Sequence, residues 1–144
     1  MNMDMNTINA KYNVSDEMSL HGSYTQYGDE GFQLAGSNMG VGDASWLTHG
    51  NMGYLNPNDN DVAIGGSFAM GDFTISGTLH TVKNDEEGSA YDDGEEYNRT
   101  AMDLSLAYAM SDNANLSLNY ANDKGYDSSD SENKYMWVTL TIQP

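Results

Sequence analysis

The residues of this chain with chemistry to offer are three histidines and a scattered set of carboxylates. His21 lies two residues from Ser23, and His80 two residues from Thr78. At period-two spacing each pair shares one face of a strand, where an imidazole could serve as base to a hydroxyl nucleophile. Such chemistry also needs an orienting group or a strained nucleophile turn, and the chain shows no nucleophile elbow, paired-carboxylate motif or metal-ligand spacing. His49 stands alone in a long polar stretch. The expectation is therefore that this is not an enzyme. Carboxylates and Asn carbonyls in polar segments suit a hard cation, so Ca²⁺ candidates are Asp59 and Asp61, within Asn58-Asp-Asn-Asp61, and Asp127 and Asp130. Neither segment has the twelve-residue loop with its fixed Gly and distal Glu, and solvated acidic loops are the competing reading. Gly40-Val41-Gly42 lacks the following Lys of a phosphate loop. Otherwise no cofactor is expected.

The charge balance is one-sided. Twenty-two acidic residues face five basic ones, for a net charge of −17. Lys11, Lys83, Arg99, Lys124 and Lys134 are too few and too dispersed to form a basic patch, so nucleic acid is excluded as a partner by repulsion. The acids crowd at Asp29-Glu30, Asp85-Glu86-Glu87, Asp92 to Glu96 and Asp127 to Glu132. Ten Tyr and a repeated strand pattern argue against an acidic disordered chain.

The elements that must position these residues are strands. Met102, Leu104, Leu106 and Tyr108 alternate with Asp103, Ser105, Ala107 and Ala109. Leu116, Leu118 and Tyr120 likewise alternate with Ser117, Asn119 and Ala121. Period two puts one set of side chains on each face of a sheet. Strands are expected at about 5–14, 17–27, 61–70, 72–83, 97–110, 113–122 and 134–143. Short turns at Val14 to Asp16, Met70 to Asp72 and Met110 to Asn113 alternate with long connections at about 28–60, 84–96 and 123–133. The fold class is all-β, one domain over 1–144: an antiparallel up-and-down meander of about seven strands. One face of every strand is bulky and apolar. The other holds Ser, Thr, Asn, His, Ala and Gly, without large aliphatics for a second-layer core, and Asp103 is its one expected strand carboxylate. The apolar faces must be buried against something else, and a lipid bilayer fits. Tyr12, Phe68, Phe73 and Tyr108 beside the short turns, with Tyr24 and Tyr120 toward the long connections, are placed as two interfacial girdles.

The run Ala101-Met-Asp-Leu-Ser-Leu-Ala-Tyr-Ala109, continued through Leu116-Ser-Leu-Asn-Tyr120 to Trp137-Val-Thr-Leu-Thr-Ile142, resembles the Gram-negative outer-membrane porins, specifically the C-terminal part of such a barrel. The chain departs from them in finishing Ile142-Gln143-Pro144 rather than on an aromatic residue. The resemblance implies a transmembrane β-barrel, or part of one, in the outer membrane, acting as a passive channel for small hydrophilic solutes. Lys11, Ser19, His21, Ser23, Thr74, Thr78, His80, Asp103, Asn115 and Asn119 are expected to line its lumen, and the loop acids to favour cations. The segment 28–60, with Phe32, Trp46, Leu47 and Tyr54, is a candidate for a lumenal constriction or for a further hairpin.

Seven antiparallel strands cannot close on themselves, because the first and last would meet in parallel. The expected partners are therefore the bilayer and further strands, from the same barrel or from other chains. Met1 to Ala10 carries neither a basic region nor an apolar core, so a mature form or a fragment is expected. The competing class is an acidic, self-assembling or adhesive extracellular β-protein, a sandwich or fibre subunit. Gly22, Gly66 and Gly77 on the apolar faces suit its tighter packing.

Overall fold

The computed structural model describes residues 5–28, 59–84, 97–124 and 132–143. Every regular element among them is a strand: β1 (Met5–Asn13), β2 (Met18–Tyr27), β3 (Asp59–Met70), β4 (Phe73–Asn84), β5 (Tyr97–Ser111), β6 (Ala114–Lys124) and β7 (Glu132–Ile142). They form one sheet in sequence order, each strand antiparallel to the next. The meander is thus as expected, with β1 and β7 at its edges. The proposed constriction, the further hairpin, His49, Asp127 and Asp130 lie outside the described residues.

Tight turns set the registers. Gly71 adopts a φ of 59°, the positive value that a two-residue hairpin turn requires of its first central residue, and Met70 pairs directly with Phe73. Between β1 and β2 the Ser15 hydroxyl accepts from the Glu17 and Met18 amides, at 3.2 and 3.1 Å. The β5–β6 register shifts between the pairs Ala109–Asn115 and Ser111–Ala114, a bulge at Met110.

The apolar face is the exposed one. On β3, Ala63 is 2 % exposed and its neighbour Ile64 67 %. Among the described residues, twenty-three large apolar side chains are exposed, whereas the buried hydrophobic residues are Ala63, Val82, Ala101 and Ala121. That inverts a water-soluble domain. At about 1.5–3 kcal/mol per exposed side chain, the deficit in water exceeds the ~5–15 kcal/mol that stabilises a typical domain. The apolar run from Val62 to Met70 extends about 27 Å along β3, or ~21 Å across a bilayer at a ~40° tilt, close to the band of a membrane barrel. Phe73 and Tyr108, paired across β4 and β5, place their rings 4.8 Å apart at one border of that band.

The glycines on the apolar face pack within the sheet. Gly66 pairs with Gly77. A Cβ on Gly66 would lie 3.1 Å from Leu20 Cδ2, and one on Gly77 2.7 Å from Leu104 Cδ2. The two leucines lean over the glycines from either side, so the notch is filled from the same face.

Candidate functional site

Strand alternation and the registers assemble the polar face rung by rung. One rung runs Thr7, Thr25, Asp61, Val82, Arg99. The next runs Asn9, Ser23, Ala63, His80, Ala101, Asp123, and the third Lys11, His21, Gly65, Thr78, Asp103, Ala121, Tyr135. Nearer the tight turns a fourth carries Asn13, Ser19, Ser67, Ser76, Ser105, Asn119 and Trp137. All ten of the residues expected on this face from the sequence lie on it: Thr74 joins the fifth rung and Asn115 the sixth.

The rungs near the long connections are buried and charged. Arg99 is 0 % exposed and grips Asp123 with both arms, Nε donating to Oδ1 and Nη2 to Oδ2, each at 2.7 Å. A planar fork on a carboxylate is the strongest ordinary side-chain pairing, and burial makes each partner depend on the other. His80 Nδ1 lies 2.9 Å from Asp61 Oδ2, also buried. Asp59 and Asp103 are buried on the same face. Asp103 is therefore not its one strand carboxylate: Asp61, the first residue of the expected third strand, joins it, and so do Asp59 and Asp123, because β3 begins at Asp59 and β6 runs on to Lys124. Nor is the face free of large aliphatics, since Val82 is fully buried on it.

Of the Ca²⁺ candidates, Asp59 and Asp61 thus belong to a strand, and Asp61 is engaged by His80. Among the described residues no three metal-ligating side chains converge.

Toward the middle of the face the side chains become small and hydroxylic. His21 Nε2 lies 3.1 Å from Thr78 Oγ1, so this imidazole reaches from β2 across β3 to β4. Gly65 lets it pass, because a Cβ there would sit 2.5 Å from the ring nitrogen. A recess of about 360 Å³ opens between Lys11, His21, Ser23, Ala63, Thr78 and His80. Further along, Ser19 and Ser67 hydroxyls meet at 2.9 Å, Ser105 donates to Asn119 Oδ1 at 2.8 Å, and Asn119 Nδ2 donates to Ser117 at 3.0 Å. Tyr135 and Trp137, two aromatics of this face, pack against Ala101 and Ala121.

The Arg99–Asp123 pairing escaped sequence reasoning. Arg99 shares parity with Ala101 and Asp103, and Asp123 with Asn119 and Ala121, so period two carried the signal. Ending the sixth strand at 122 hid it.

Comparison with curated proteins and with solved structures finds no match. A family model for Gram-negative porins matches residues 2–141, nearly the whole chain. With an all-strand antiparallel meander, one face apolar and exposed and the other polar, the chain belongs to the Gram-negative porin family.

Proposed function

We propose that this chain forms wall of a passive diffusion channel for small hydrophilic solutes, with a preference for cations. Family membership points to a channel rather than an enzyme, and to the outer membrane. The observation that carries the selectivity is the charge of the polar face. Asp59, Asp61, Asp103 and Asp123 stand there against Arg99 and Lys11, and Arg99 is consumed by Asp123. Carboxylates in a confined aqueous path raise the local cation concentration and repel anions. The lining in this reading is Lys11, Ser19, His21, Ser23, Thr74, Thr78, His80, Asp103, Asn115 and Asn119, hydroxyls and amides that replace part of a solute's hydration shell.

β1 and β7 run in the same direction, so a closed antiparallel wall needs strands beyond these seven. The test is the reversal potential of single channels in planar bilayers under a KCl gradient. A potential of the sign set by K⁺ is expected, reduced by Asp103→Asn. Anion preference would overturn the selectivity, and absence of conductance from a folded, inserted protein would overturn the channel.

A further inference from the structure

The chain sorts its charge between the two faces of the sheet in a way that passage of solutes does not require. Of its five basic residues, Lys11 and Arg99 lie on the polar face. The other three, Lys83, Lys124 and Lys134, lie on the apolar face, all at the end near the long connections. Each stands just past the apolar band of its strand. On β4, Lys83 follows Leu79 and Thr81; on β6, Lys124 follows Tyr120 and Asn122; on β7, Lys134 adjoins Met136. Among the described residues of that face Glu132 is the one acid. A belt of net positive charge therefore tops the apolar band of a chain whose net charge is −17.

The belt is partly organised. Glu132 holds Lys134 Nζ at 2.9 Å and Lys124 Nζ at 3.5 Å, while Asn122 Nδ2 donates to it at 3.1 Å. One glutamate thus gathers two ammonium groups and leaves them half exposed. Lys83 stands two strands from Lys124 and two residues further along, about 12 Å at the usual strand spacing and rise.

We propose that Lys83, Lys124 and Lys134 form a site for the phosphate groups of membrane lipids at the loop-side interface. This rests on the reading that the apolar face meets lipid. A lysine above an apolar band extends its stem along hydrocarbon and its ammonium into the headgroup layer, where lipid phosphates lie. The chain's remaining acids lie on the polar face, in the turns, in the connecting segments and, in the case of Asp4, ahead of β1. At physiological salt a charge is felt over about 8 Å, and among the described residues of this face three lysines stand against Glu132.

The test is lipid selectivity. The chain is reconstituted in phosphatidylcholine bilayers carrying a trace of spin-labelled phosphatidic acid or spin-labelled phosphatidylcholine, and electron spin resonance reads the motionally restricted fraction of each. A preference of about threefold or more for phosphatidic acid is expected, from several lysines that each attract anionic headgroups. The K83Q/K124Q/K134Q variant loses the preference while keeping its restricted phosphatidylcholine, and Glu132→Gln strengthens it. Equal restriction of both labels by the unmodified chain, or selectivity that survives in the triple variant, would overturn the proposal. Loss of the preference on adding inorganic phosphate at constant ionic strength would overturn it in favour of a soluble phosphate site. No restricted component with either label would instead show that the apolar face does not meet lipid, and the channel reading would fall with the site.

Discussion

At the scale of single residues, the polar face is built on pairs that cannot be dismantled one partner at a time. Arg99→Met leaves the Asp123 carboxylate buried and uncompensated, a loss of about 3–5 kcal/mol. The double change R99M/D123L replaces both charges by apolar groups and is expected to regain most of that loss. Urea unfolding from detergent micelles measures both, and equal losses in single and double variants would show that the pair is not coupled. His21 poses a different constraint. Gly65→Ala drives a Cβ into its ring and toward the backbone of β4, so a loss of about 1–3 kcal/mol is expected in the same assay. How far such contacts are legible from sequence depends on the turn that joins their strands. The Gly71 hairpin fixes the β3–β4 register by counting, and the same count places Asp61 diagonal to His80. Arg99 and Asp123 are joined through the bulge at Met110, which shifts the β5–β6 register by one residue. Counting back from Ser111 and Ala114 without that bulge sets side chains of opposite faces against each other, and the pair disappears.

At the scale of the strand, alternation carries nearly all the information, and so the meander and the faces of its strands could be read before any coordinates. Strand ends could not. Polar residues continue the alternation past the apolar band, and Asp59, Asp123 and Lys124 look like connection although their backbones remain paired. The two faces of β5 make opposite predictions for one substitution. Leu106→Arg sets a charge amid the exposed apolar band and is expected to cost about 2–4 kcal/mol at bilayer mid-depth. Ala107→Arg, one residue on, points to the polar face and is expected to leave folding in lipid vesicles nearly intact while lowering cation preference. Equal folding of both variants would mean that the apolar face of β5 does not lie against lipid.

At the scale of the whole molecule, the sheet is stable only if its surroundings match its outer face. Among the described residues the buried hydrophobic ones are three alanines and a valine, too little apolar volume to hold seven strands together in water. Backbone pairing alone does not offset the exposed apolar side chains, because water competes for every hydrogen bond in the unfolded chain. An amphiphile changes the balance: it covers the apolar face and raises the penalty for any unpaired backbone group at membrane depth. Far-UV circular dichroism is therefore expected to show little strand signal in plain buffer and a full strand spectrum in detergent micelles or vesicles. The decisive contrast is with a sandwich or fibre, whose apolar faces pack against one another and whose strands form without amphiphile. Full strand signal in buffer alone would show that protein, not lipid, covers Ile64, Leu104 and Leu106.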